Sequence, residues 1–87
     1  MKLEKIDHIC IAVRDLAKSE AHFKEVFGRE PDERYVDEPE KIDVVRYYIG
    51  EVGVELVAPT SEDSEVAKFI ERQGEGFFLL SLKVPAG

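Results

Sequence analysis

The chain has 87 residues, of which 44% are hydrophobic and 36% are charged. This length suits one small domain whose core is near the lower limit for independent stability, so association with a second chain is expected. The net charge is −7 and no Lys/Arg-rich stretch with interleaved aromatic residues offsets it, which argues against a nucleic acid partner. No apolar run could span a bilayer and no signal-peptide pattern opens the chain, so a soluble cytoplasmic protein without a membrane partner is expected.

The first predicted strand covers residues 6–13 and leads directly into an amphipathic helix at 16–27. Strand alternation separates the apolar residues Ile9, Ile11 and Val13 from a face that carries Ile6, His8, Cys10 and Ala12. Asp15 is suited to cap the helix and Gly28 to end it. A single cysteine allows neither a disulfide framework nor a cysteine-based zinc site, so Cys10 is expected to be a small buried thiol.

The remaining elements follow an acidic connection at 31–41, in which residues 34–36 allow a short strand. Two β-rich runs at 42–49 and 52–57 flank Gly50 and Glu51, a pair suited to a tight hairpin turn with glycine first. A second amphipathic helix is predicted within 60–73 and ends at Gly74. Residues 77–84 are apolar enough for a buried strand. The order β-α-(β)-β-β-α-β predicts the α+β class.

The two ends of the chain resemble each other. KIDHICIAVRDL and EGFFLLSLKVPAG align so that His8 stands opposite Leu79 and Cys10 opposite Ser81. The alignment predicts one structural module followed by the first strand of a second, within a single domain spanning 1–87.

Four segments resemble the vicinal oxygen chelate (glyoxalase, bleomycin resistance and dioxygenase) superfamily: DHICIAVRDL, HFKEVFG, VELVAP and EDSEVAKFIERQGEG. The last two are most similar to its methylmalonyl-CoA epimerase family. The resemblance implies a βαβββ glyoxalase-like module plus a short helix and one further strand. It also implies that two such modules pair their sheets into a cup that holds a divalent metal ion.

The resemblance implies that His8 and Glu55 are metal ligands, with Co²⁺, Zn²⁺, Ni²⁺ or Mn²⁺ as the ion. If the helices cover the Ile/Val/Leu faces of the sheet, both side chains point into the cup. The third ligand of the family falls on Leu79, and the fourth lies beyond residue 87. A homodimer that places His8 and Glu55 of each chain around one axis would restore four ligands, although the strand at 77–84 could occupy the place of the partner's first strand.

The residues alone favour other interpretations. A lone histidine such as His8 is more often a hydrogen-bonded core residue, Glu55 would face solvent, and His22 belongs to the solvated face of its helix.

The function implied by the resemblance is removal of the proton α to a thioester carbonyl, as in an epimerase, or a related lactoylglutathione lyase-like reaction on a small-molecule substrate such as an acyl-CoA. No catalytic base is identified: Glu40 and Asp43 are interpreted as solvated charges, and Tyr47 and Tyr48 as packing or cup-lining residues. The alternative is a non-catalytic module that binds a small molecule or dimerises. The substrate and the native metal stay open.

Overall fold

A computed structural model describes residues 2–85 of the chain. Its elements, in chain order, are β1 (Lys5–Ala12), α1 (Leu16–Phe27), β2 (Glu33–Asp37), β3 (Ile42–Ile49), β4 (Val52–Pro59), α2 (Glu65–Gln73) and β5 (Gly76–Lys83). The strands form one five-stranded sheet in the order β2-β3-β4-β1-β5. β1 is parallel to β4, and every other neighbouring pair is antiparallel. The predicted α+β class and the βαβββ order followed by a helix and a strand are therefore confirmed.

The helix and turn boundaries follow from local signals. The Asp15 side chain accepts a hydrogen bond from the backbone N–H of Lys18, and Gly28 ends α1 in the left-handed conformation with φ of 70°. Gly50 begins the β3–β4 turn with φ of 63°, a value that favours glycine. Ser64 caps α2 by accepting from the backbone N–H of Ala67. The short strand in the acidic connection is real and becomes β2.

The two helices pack on opposite faces of the sheet. Phe23 and Phe27 of α1 pack against a cluster made of Val13, Val45, Tyr47, Leu56 and Ala58. Val66 and Ile70 of α2 belong to a cluster on the other face, with Cys10, Ala12, Val44 and Val57. The expectation that the helices cover only the Ile/Val/Leu face of the sheet therefore holds for α1 but not for α2. The other face, which carries His8 and Glu55 and is called the ligand face below, is apolar at one end, and α2 covers that end. Within residues 2–85, neither helix has the length and hydropathy of a membrane span.

β5 lies antiparallel along the edge of β1 in a locally symmetric register. His8 pairs with Ser81, Ile9 with Leu80 and Cys10 with Leu79. A rotation about the Ile9–Leu80 pair therefore exchanges His8 with Leu79. This register agrees with the predicted resemblance between the two ends of the chain. It also means that two chains could pair their β1 strands only if β5 moved away.

Candidate metal site

His8, Cys10 and Glu55 converge on the sheet face that α2 partly covers. Cys10 and Glu55 are register partners on the adjacent parallel strands β1 and β4, and His8 lies two residues before Cys10 on the same face. One potential ligand atom from each of the three side chains lies within 4.8 Å of the other two. The three residues therefore form a compact group of nitrogen, sulfur and oxygen donors that could hold a metal ion.

The Glu55 carboxylate is only 5% exposed and is held by three neighbours. Its Oε1 accepts a hydrogen bond from the Cys10 thiol at 3.2 Å. Its Oε2 lies 3.1 Å from the Arg46 guanidinium and accepts from the Tyr35 hydroxyl at 3.4 Å. A buried carboxylate needs such partners to offset its lost hydration. Because Arg46 and Tyr35 hold Oε2, Oε1 is the oxygen directed toward Cys10.

Asp7 orients the imidazole of His8. The Nδ1 atom of His8 lies 2.8 Å from the Asp7 carboxylate, and Arg46 lies 3.8 Å from the same carboxylate. The hydrogen bond to His8, with the nearby positive charge of Arg46, lowers the pKa of Asp7. A carboxylate bound to one imidazole nitrogen leaves the other nitrogen, here Nε2, available to a metal ion.

Burial and the neighbouring carboxylate also affect two weak acids at the site. Desolvation and the hydrogen bond to Glu55 raise the pKa of the Cys10 thiol to about 12. Burial and the charge of Glu55 raise the pKa of Tyr35. Without a metal ion, Cys10 is therefore a protonated thiol that donates to Glu55.

A pocket of about 270 Å³ opens onto the three donors. Its polar lining also includes the carboxylates of Asp37, Glu40 and Glu65, and its apolar lining includes Ile42, Val57, Val66, Phe78 and Leu79. No lysine or arginine lines it within the part of the chain that the structure describes. A larger depression of about 390 Å³ lies beside α1, but it contains none of the three donors. The chemistry therefore favours the smaller pocket, whose lining attracts cations.

The structure brings some of the predicted residues together and separates others. His8 and Glu55 lie in one group, and Glu40 lies at the same pocket. Asp43 instead lines a depression beside α1. Tyr47 is fully buried in the cluster that α1 covers.

Two further side chains lie where the sequence suggested. Tyr48 lines the ligand face, with the Arg46 guanidinium 5.0 Å from its ring centre. His22 is exposed on α1, against Phe23, as predicted.

Sequence reasoning missed Cys10 as a donor, and Asp7 and Arg46 as supporting residues. Burial of Cys10 is confirmed, but its shared face with His8 was the signal that it could also be a donor. Arg46 also carried a signal, because a two-residue turn between Ile49 and Val52 sets Arg46 opposite Glu55.

Comparison with known proteins assigns the family. Residues 7–86 match the model of the Glyoxalase/Bleomycin resistance protein/Dioxygenase superfamily. The chain belongs to this superfamily. It is 32% identical over 74 residues to the mitochondrial methylmalonyl-CoA epimerase of Bos taurus, covering 85% of this chain and 42% of that protein. It is 31% identical over 74 residues to the uncharacterized protein YqjC of Bacillus subtilis, covering 85% of this chain and 53% of that protein.

Solved structures of the superfamily show the same fold. A variant of the Streptomyces coelicolor methylmalonyl-CoA epimerase in complex with 2-nitronate-propionyl-CoA superposes with a TM-score of 0.88 at 30% identity. The match covers 93% of this chain and 60% of that chain. This glyoxalase-like module therefore spans about half the length of the curated relatives it matches.

Proposed function

We propose that this chain binds a divalent metal ion through His8 and Glu55 and acts as an isomerase or lyase of the methylmalonyl-CoA epimerase type, with a second chain completing the pocket. The observation that carries the proposal is the convergence of His8, Cys10 and Glu55 to within 4.8 Å on a sheet that matches epimerase structures.

The donors present suit a divalent ion. An imidazole nitrogen and a carboxylate oxygen are ligands for Zn²⁺, Co²⁺, Ni²⁺ and Mn²⁺, and each is already oriented by a neighbour: Asp7 for His8, and Arg46 for Glu55. Such support raises metal affinity, because the ligands need less ordering on binding. When bound, the ion would supply Lewis acidity that favours loss of a proton α to a thioester carbonyl.

The negative charge of the pocket implies that a cation must be bound before an anionic substrate can enter. An acyl-CoA substrate is anionic, whereas Asp37, Glu40, Glu55 and Glu65 line the pocket and would repel it. A divalent ion at His8 and Glu55 would offset part of this repulsion. Of the two carboxylates considered as a base, Glu40 is the one that lines the pocket, and it is the better candidate.

The second chain is proposed from the surface of β5. Large apolar side chains of this edge strand are exposed on both faces of the sheet, namely Phe77, Leu79, Leu80 and Leu82. Large exposed apolar side chains on an edge strand are typical of an association surface. A homodimer is the simplest partner, provided that β5 either forms the contact or moves to let two β1 strands pair.

A second candidate is a non-catalytic module that binds a small molecule or dimerises. It is favoured by Leu79, which lines the pocket in the position related to His8 by the β1–β5 register. Leucine cannot bind a metal ion. In this candidate, His8, Cys10 and Glu55 serve only to stabilise the fold. Fold membership does not distinguish the two candidates, because function resides in the site.

The test measures metal content by elemental analysis on a size-exclusion peak of known mass. Loaded protein is then incubated with methylmalonyl-CoA in D₂O, and exchange of the α proton is followed by NMR. We expect bound metal and exchange in the wild type and in His22→Ala, whose histidine lies outside the site, and neither in His8→Ala. Absence of metal after incubation with Zn²⁺, Co²⁺, Ni²⁺ and Mn²⁺ would reject the metal-dependent function in favour of the non-catalytic module.

A further inference from the structure

We propose that the Cys10 thiolate is a third ligand of the metal ion, so that one chain supplies a nitrogen, a sulfur and an oxygen. This inference rests on the proposed metal site at His8 and Glu55 and adds a ligand to it. The superfamily match assigns no role to Cys10, and it is the geometry of this chain that points to the thiol as a ligand.

The distance between Cys10 and Glu55 fits shared coordination. Tetrahedral Zn²⁺ binds a thiolate at about 2.3 Å and a carboxylate oxygen at about 2.0 Å, so the two ligand atoms stand roughly 3.5 Å apart. The Cys10 Sγ and Glu55 Oε1 atoms are 3.2 Å apart in this structure, and the third donor, from His8, lies within 4.8 Å. The His8 donor would have to move closer to the other two for all three to bind one ion.

The surrounding residues leave the correct atoms available. Arg46 and Tyr35 engage Oε2 of Glu55 and leave Oε1 facing Cys10. Asp7 engages Nδ1 of His8 and leaves Nε2. The sheet register fixes this arrangement, because Cys10 and Glu55 are directly paired between β1 and β4.

Loss of the Cys10 proton when the metal ion binds leaves the site with balanced charge. The S–H bond of Cys10 is replaced by a sulfur–metal bond, and the proton leaves to solvent. One thiolate and one carboxylate then neutralise the two positive charges of the ion, while Arg46 remains paired with the outer oxygen of Glu55. A set with sulfur selects Zn²⁺ and Co²⁺ over the harder Mn²⁺, which narrows the metals expected from His8 and Glu55 alone.

The experiment titrates metal-free protein with Co²⁺ under reducing conditions and records thiolate-to-cobalt charge-transfer absorption in the near ultraviolet. It compares the wild type with Cys10→Ala, Cys10→Ser, His8→Ala and the control His22→Ala, and circular dichroism verifies that each variant is folded. Zinc-edge X-ray absorption of the zinc-loaded wild type provides a second readout, in which one sulfur at about 2.3 Å is expected.

We expect the charge-transfer band in the wild type and in His22→Ala. It should be absent from both Cys10 variants, with at least about a tenfold lower Co²⁺ affinity in Cys10→Ala. Binding of Co²⁺ without the band, and with equal affinity in the wild type and Cys10→Ala, would overturn the Cys10 ligand and leave the site at His8 and Glu55 standing. Absence of any Co²⁺ or Zn²⁺ binding by the folded wild type would overturn both.

Discussion

Replacing Gly53 with alanine tests how the sheet supports Glu55. Gly53 lies on β4 two residues before Glu55, and the Arg46 side chain passes directly over it. A Cβ atom at position 53 would stand 2.6 Å from both Nε and one terminal nitrogen of Arg46, well inside van der Waals contact. The guanidinium would have to move away, and in doing so it would lose its 3.1 Å contact with Glu55.

The expected cost follows from that lost contact. Leaving a buried acceptor without one of its partners costs about 1–3 kcal/mol, and Glu55 is nearly fully buried. A Gly→Ala change also reduces the entropy of the unfolded chain, which raises the free energy of unfolding by about 0.4–1 kcal/mol and offsets part of this cost. We expect Gly53→Ala to lower the free energy of unfolding by roughly 1–2 kcal/mol, which corresponds to a Tm decrease of roughly 4–16 °C in a domain of this size.

The assay is urea unfolding followed by circular dichroism, carried out as a double-mutant cycle with Arg46→Ala. In the Arg46→Ala background the obstructing side chain is gone, so Gly53→Ala should be neutral or slightly stabilising. The same loss of stability in both backgrounds would refute the account, because the penalty would then come from the backbone of β4 and not from displacement of Arg46.

Three further predictions concern single side chains. The Tyr47 hydroxyl is buried without a hydrogen-bond partner among residues 2–85, so Tyr47→Phe should leave the free energy of unfolding unchanged or raise it by up to about 1 kcal/mol in urea unfolding; a clear loss would reveal a partner. The pKa of Cys10 is raised to about 12 in the metal-free fold, so the unfolded thiol loses its proton first. Above about pH 9, the free energy of unfolding should therefore fall more steeply in the wild type than in Cys10→Ala, by up to about 1.4 kcal/mol per pH unit. Both proteins are measured with a chelator present, and parallel pH curves would contradict the raised pKa. Leu79 lines the pocket and pairs with Cys10 across β1 and β5, so Leu79→His should add an imidazole ligand. We expect calorimetry to show a Zn²⁺ affinity roughly tenfold higher or more, equivalent to about 1.4 kcal/mol of binding free energy. An unchanged affinity would mean that residue 79 does not reach the ion.

Much of the fold was predictable because its signals are local. Asp15, Gly28 and Gly50 occupy the cap and turn positions that their side chains or backbone freedom favour. The hairpin turn also determines a register, and with it the pairing of Arg46 with Glu55. This pairing follows from the order of the residues alone, since a two-residue turn leaves one way to align the two strands.

The parts that could not be predicted depend on contacts between distant segments. The parallel pairing of Cys10 with Glu55 has no turn to fix it, so no local signal identifies Cys10 as a neighbour of the carboxylate. The amphipathic pattern of α2 shows which residues it buries, but not the sheet face on which Val66 and Ile70 pack. The predicted ligands His8 and Glu55 came from the family resemblance. Strand alternation places Cys10 on the face of His8, but its approach to Glu55 is evident only from the assembled sheet.

Metal binding and catalysis make different demands on this module. Three donors from one chain, as proposed, would be enough to hold an ion with an open coordination position, so metal binding would not depend on the residues that the longer relatives have beyond the matched region. Enclosing a substrate is more demanding, because the pocket of about 270 Å³ falls below the roughly 300–1,000 Å³ typical of ligand sites. Leu79 of β5, which lines the pocket, is 39% exposed. In the proposed function, a second chain would chiefly exclude water and enlarge the pocket. A dilute monomer should then bind metal more readily than it exchanges the α proton of an acyl-CoA.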